Sequence, residues 1–332
     1  MVSLRCLSLL PALLVLPFTA VFGEITLGGP FSDHMVIQAG QAIPVWGTAT
    51  PGSEVSLRFG ASKERAVAGN DGAWRVTLPP QKPSKEGATL QVSAPGETRE
   101  IHDVLVGEVW LCSGQSNMRY TLGRHEVRDD PASPLIFPQE LKDASKPLIR
   151  LLNVSSGEGS TPKGRRWEPC SPETATGFSA IGYFFGSDLV KSLDVPVGLI
   201  DMGKGGESIR AFLAPDQIAT DPRLESLRNN ASAKEAGSVY LNDLRWLAPY
   251  ALRGVLWYQG ESDVTRADTY ALMLSAMVGS WRAGLQNENL PFLVVQLPGY
   301  AGKADNPSDQ STLSKWRPFF HQAQENFGKG NP

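Results

Sequence analysis

Histidine and cysteine are scarce in this chain, with four and three copies among 332 residues. An excess of one sign of charge is lacking too: 31 Lys and Arg stand against 34 Asp and Glu, the net charge is −3, and no Lys/Arg cluster is interleaved with aromatics. That gives no electrostatic case for a nucleic acid partner or an anionic membrane surface. After the first twenty or so residues, no apolar run approaches the length of a membrane span. Cys6 sits in the leading apolar run, so Cys112 and Cys170 are the cysteines that bear on the fold. They could pair in an oxidising compartment, but Cys112 lies in a candidate buried strand, where a free thiol behaves as a small hydrophobe. The unpaired state is the reading preferred here.

What is present is ordinary in bulk: 41% hydrophobic and 20% charged residues, in a chain long enough for one large domain and a smaller one. The N-terminus is more telling. Arg5 precedes an apolar run from Leu7 to Phe18, followed by Val21-Phe22-Gly23. This is the three-part layout of a secretory signal, with an uncleaved anchor as the alternative. Residues 1–23 are expected to be removed, leaving a chain that begins near Glu24 and is exported, periplasmic or extracellular, with no membrane contact after cleavage.

From Glu24 to about residue 105, short strand-like runs alternate with turn residues. Ile43 to Trp46, Glu54 to Phe59, Arg65 to Ala68, Trp74 to Leu78 and Leu90 to Val92 are the runs; Pro51-Gly52, Asn70-Asp71-Gly72 and Pro95-Gly96 punctuate them. A small antiparallel β-sandwich is expected over 24–105. Beyond that, longer apolar runs (Val104 to Cys112, Leu148 to Val154, Val197 to Met202, Gly254 to Tyr258, Phe292 to Leu297) alternate with helical stretches such as Ile181 to Leu193 and Ala267 to Trp281. That alternation predicts an α/β domain with a mostly parallel sheet over 106–332.

Three of these strands end in polar loops: Gly114-Gln115-Ser116-Asn117, then Gly203-Lys204-Gly205-Gly206-Glu207-Ser208, then Gln259-Gly260-Glu261-Ser262-Asp263. In a parallel sheet all three emerge at one edge, where open α/β folds bind ligands. Ser116 is the candidate nucleophile, at a strand-to-helix turn whose N–H groups would face developing negative charge. The plainer alternative is that it only caps that helix. Attack on an acyl carbonyl creates an oxyanion that needs preorganised donors. The Ser116 backbone N–H, a glycine at 205 or 206 and the Gln259 side-chain amide are the candidates.

These same residues carry a family likeness. Gly114-Gln115-Ser116-Asn117-Met118, Gly205-Gly206 and Trp257-Tyr258-Gln259-Gly260-Glu261-Ser262 resemble the sialate O-acetylesterases and related carbohydrate acetylesterases of the SGNH-hydrolase superfamily. Ser32-Asp33-His34-Met35-Val36-Ile37-Gln38 and Pro44-Val45-Trp46-Gly47 look like the opening of the family's β-domain, and Tyr240-Leu241-Asn242 and Leu247 to Gly254 like its approach to the third block. The resemblance implies a flavodoxin-like three-layer α/β domain and cofactor-free, metal-free removal of acetyl groups from a carbohydrate substrate. It makes Ser116 the nucleophile, assigns the oxyanion hole to Ser116, Gly205 or Gly206, and Gln259, and gives Gln115, Asn117 and Glu261 supporting roles. Arg210 and Trp257 are weaker substrate-binding candidates.

The family's Asp-x-x-His, which supplies the general base and the acid orienting it, occurs nowhere in this sequence. Where the family tends to have Asn-Gly-Met-Ile, this chain has Asn242-Asp243-Leu244-Arg245. Of the histidines, His34 and His102 fall in the β-domain. His125 would be about 13 Å from Ser116 along one continuous helix, at 1.5 Å per residue, and His321 is the remaining weak substitute. Two explanations stay open: a longer esterase lacking its last strand and the Asp-x-x-His block, which is favoured, or a non-catalytic carbohydrate-binding protein on the same fold.

Overall fold

The computed structural model describes residues 24–127, 130–154, 164–225 and 236–297. The signal-like segment, most of the loop from 231 to 237 and the C-terminal stretch with His321 lie outside the described residues.

The first strands are β1 (Thr26–Leu27), β2 (Val36–Gln38), β3 (Ile43–Thr48), β4 (Glu54–Phe59), β5 (Ser62–Val67), β6 (Ala73–Leu78) and β7 (Ser84–Ala94). They are followed by β8 (Glu97–Gly114), β9 (Lys146–Asn153), β10 (Trp167–Cys170), β11 (Val197–Gly203), β12 (Gly254–Tyr258) and β13 (Phe292–Val294). β1, β3 and β6 make a small antiparallel sheet. The other strands belong to one mixed sheet built around β8. Strands β4 and β6 alternate exposed and buried positions, so Val55, Leu57, Phe59, Trp74, Val76 and Leu78 point inward into one core.

β8 serves both halves of the molecule. Its first part pairs antiparallel with β7 around the Pro95-Gly96 turn and parallel with β2, as far as Gly107 opposite Gln38. From Glu108 it pairs parallel with β11, and from Trp110 with β12 on its other side. The sequence boundary at 105/106 falls within this continuous strand, two residues before its partners change. In the second part the side chains alternate between two buried faces. Trp110 and Cys112 join Leu199 and Leu256 on one side, while Val109 and Leu111 join Ile200, Val255 and Trp257 on the other. The helix Ala180–Leu193 covers the first face, with Gly182 against the Cys112 sulfur and Gly186 against Leu199. The helix Ala267–Gly284 lies over the second, where Trp281 meets Trp257 at 5.9 Å between ring centroids. A sheet buried on both faces requires such continuously apolar strands.

Cys112 and Cys170 are both buried and unpaired. Burial pushes the Cys170 thiol up to about 12 and the Cys112 thiol well above its ordinary range. Both cysteines therefore act as packing residues. The two sheets meet along an aromatic seam: Phe31 stands edge-on to Trp46 at 4.7 Å and to Tyr250 at 5.7 Å. The Tyr250 hydroxyl donates to the Val36 carbonyl at 2.6 Å, and the Trp167 indole donates to the Pro30 carbonyl at 2.9 Å. No described helix is long and apolar enough to cross a membrane.

Candidate active site

The three polar loops leave the sheet side by side. Gly114, the last residue of β8, is in register with Gly203 on β11 and with Tyr258 on β12. With neighbouring strands about 4.8 Å apart, the three strand ends span roughly 10 Å. The Lys204 N–H donates to the Gly114 carbonyl at 2.8 Å, and the Gln115 N–H to the Tyr258 carbonyl at 3.0 Å, so the alignment persists past the last paired residues. Gly114 has φ +139°, and a Cβ there would stand 2.1 Å from the Tyr258 carbonyl oxygen. Only glycine can turn the chain at that point.

Gln115 is buried and works as a clasp. Its side-chain oxygen accepts from the Gly260 N–H at 3.2 Å and the Ser262 N–H at 3.1 Å, joining the first loop to the third. Ser116, next along, is exposed. Neither its hydroxyl nor its backbone N–H has a hydrogen-bond partner among the described residues.

The helix expected after Ser116 does not form. Residues 115–119 make a turn closed by the Arg119 N–H to the Gln115 carbonyl at 3.0 Å. The chain is then drawn into extended contact with residues 176–179, through Leu122 N–H to the Phe178 carbonyl and Gly123 N–H to the Thr176 carbonyl. The helix-terminus argument for Ser116 therefore falls, and donors near it must come from individual loop N–H groups.

The second loop presents Gly205 and Gly206, both exposed, with no protein partner for either N–H among the described residues. Gly206 has φ +77°, and a Cβ on either glycine would meet nothing within 4 Å. The Ser262 hydroxyl donates to the Gly206 carbonyl at 3.0 Å, tying this loop to the third.

Gln259 is fully buried, and its amide is engaged within the protein. It donates to the Glu207 carbonyl at 3.1 Å and to the Asp263 carboxylate at 2.7 Å, while its oxygen accepts from the Tyr270 hydroxyl at 2.9 Å. The donor assigned to the oxyanion from sequence is in this geometry a joint between loops two and three. Asp263, which the sequence reading passed over, is the centre of that joint. It also accepts from the Ser208 hydroxyl at 2.6 Å and the Ile209 N–H at 2.8 Å. Its position within the Gln-Gly-Glu-Ser-Asp block was the available signal. Asn117 donates through its side chain to Glu261, linking loops one and three a second time. Burial raises the Glu261 carboxyl above its ordinary value, with its own backbone and Asn117 opposing that.

Two substrate-binding candidates are placed otherwise than expected. Trp257 has no exposed surface, because β12 is covered on both faces; its indole donates to the Tyr270 hydroxyl at 3.2 Å and it packs on Phe212 and Trp281. Arg210 is 3% exposed, within the wholly buried turn Ile209–Phe212. Neither presents its side chain to a ligand in solution.

Below the loops, Asp201 is buried in β11 and pairs with Arg119 at 2.9 Å, while also accepting from the Gly203 N–H. Burial raises its carboxyl and Arg119 counteracts this. An aspartate inside the otherwise apolar run Val197–Gly203 was its sequence signal. Asp243 is buried against Arg165 at 2.5 Å.

No described histidine contacts Ser116. His34 pairs with Asp103 at 2.8 Å, His102 lies near Glu100, and the ring of His125 bonds to the Ser133 carbonyl.

A carbohydrate esterase family, described as sialic acid-specific acetylesterase, matches residues 106–322. The chain belongs to this family. It is 28% identical to the sialate O-acetylesterase of Rattus norvegicus, covering 81% of this chain and 59% of that protein. It is 30% identical to the Homo sapiens enzyme of the same name, covering 80% and 56% respectively. The chain thus spans under two thirds of the length of these curated relatives. A carbohydrate acetylesterase from Xanthomonas citri has a similar solved structure, with TM-score 0.77, 28% identity and coverage of 93% of this chain and 67% of that one. The acetylesterase family match begins in β8, at the residues leading into the Ser116 loop.

Proposed function

We propose that this chain carries the core of a serine esterase that removes O-acetyl groups from sugars, sialic acid or an acetylated polysaccharide. The observation that carries the reading is the register of Gly114, Gly203 and Tyr258, which starts three loops level with one another around an exposed serine. In this reading the Ser116 oxygen bonds to the acetyl carbon and its proton passes to a base. The oxyanion accepts hydrogen bonds from the N–H groups of Ser116 and of Gly205 or Gly206. The sugar oxygen leaves with a proton, and water then attacks the acetyl-serine to release acetate. Gln115, Asn117, Glu261 and Gln259 hold the loops that aim those donors. The finer architecture we propose is a flavodoxin-like SGNH layout preceded by a β-sandwich, in a protein exported behind the segment 1–23.

Acetate release from O-acetylated sialic acid and from acetylated xylan tests the activity. Ser116→Ala is expected to lower it on the order of a thousandfold or more; unchanged release would refute the assignment. Among the described residues no histidine contacts Ser116, and a second reading is a carbohydrate-binding protein without turnover. It requires sugar binding that survives Ser116→Ala, with no acetate released at any enzyme concentration.

A further inference from the structure

At the opposite edge of the parallel strands, a cavity of about 550 Å³ opens between the small sheet and the α/β half. Its polar lining includes Arg75 on β6, Gln41 before β3, Arg253 before β12, and Gln286, Asn287 and Asn289 in the turn before β13. The lining holds two guanidinium groups and four carboxamides, and no aspartate or glutamate. In a chain of net charge −3, that is a local reversal of sign. Arg253 is partly offset by Glu108 at 3.2 Å, outside the lining, whereas Arg75 has no ion-pair partner among the described residues. Arg75 is exposed because it occupies the outward register of a strand whose alternate residues are buried.

We infer that this cavity is a second saccharide site, separate from Ser116, that takes a sugar bearing a carboxylate. Guanidinium forks match a carboxylate, carboxamides both donate to and accept from ring hydroxyls, and the volume lies within the range of small-ligand pockets. Arg253 and Gln259 lie six residues apart on either side of β12, about 20 Å at 3.3 Å per residue, so the two sites can be filled together. The choice of a sugar rests on the carbohydrate reading above; the charge argument does not require Ser116 to be catalytic.

Equilibrium binding to the whole chain tests the inference, using galacturonic acid, tetragalacturonate, neutral cellotetraose and sodium acetate as probes. The acidic saccharides are expected to bind, and Arg75→Glu and Arg253→Gln each to weaken binding about tenfold or more, the effect of losing a charge-assisted hydrogen bond. Ser116→Ala is expected to leave it unchanged, which separates failure here from failure of the esterase reading. Tighter binding of the tetramer would assign the site to a polymer, and equal binding to a free acidic sugar. No binding of either acidic saccharide, equal affinity for acetate or cellotetraose, or insensitivity to both arginine variants would overturn the inference. Circular dichroism confirms folding, and Asn287→Ala, in a surface turn, gives a third variant should either arginine replacement unfold.

Discussion

Gln115 and Glu261 show what single side chains do at this site. Gln115 satisfies two backbone N–H groups of a different loop, so Gln115→Ala leaves both without an acceptor. The expected cost is about 2 kcal/mol, read from urea unfolding midpoints, together with loss of acetate release as the third loop drifts from the first. Glu261 makes a prediction of opposite sign. Its carboxyl binds a proton more tightly in the folded chain than in the unfolded one, where the ordinary value is 4.5. The folded state therefore holds more protons above that pH, and stability falls as pH rises from about 4.5 to the raised folded value. Glu261→Gln removes that penalty while keeping an oxygen for Asn117. Its stability advantage over the parent chain should grow with pH across this window; unfolding free energies from pH 4 to 8 measure it. At this scale the sequence disclosed the residue types of the site but not where their hydrogen bonds go. Nothing in Gln259 as a letter says that Asp263 and Glu207 will take its amide, because those acceptors arrive through folding.

The strands were legible as elements wherever burial is one-sided or complete. The run Glu54 to Phe59 is β4 residue for residue, and the apolar run at 254–258 is β12. The first part of β8 was hidden because Thr98-Arg99-Glu100 is polar and exposed, and β10 because Glu168-Pro169 interrupts its apolar pattern. The helix after Ser116 was read from local capping chemistry, and tertiary pairing of residues 121–123 with 176–179 overrides it. The most sensitive backbone point is the end of β8. Gly114→Ala places a methyl group 2.1 Å from the Tyr258 carbonyl at a φ that L residues avoid, so β8 and β12 must separate there. A loss of about 3 kcal/mol or more is expected by chemical denaturation. A change within 0.5 kcal/mol would mean that this strand end is not held as described.

For the molecule as a whole, β8 and the aromatic seam make the two halves structurally continuous. The sequence marked a change of texture near residue 105, yet the chain crosses it without a break. Pattern reading registers composition, whereas the exchange of β8's partners at Gly107 is a matter of pairing. Tyr250→Phe deletes one buried hydrogen bond across the seam, to the Val36 carbonyl, and keeps the ring. It should cost about 1 kcal/mol and leave a single unfolding transition; two transitions would show that the halves unfold independently. The central claim concerns Ser116 within this frame. Treating the folded chain with a serine-directed fluorophosphonate and mapping the adduct by mass spectrometry tests it most directly. The account predicts one adduct, on the peptide carrying Ser116, reduced by an O-acetylated sugar and absent from Ser116→Ala and from urea-unfolded protein. A folded chain that leaves Ser116 unlabelled, or carries the adduct on another residue, would contradict it.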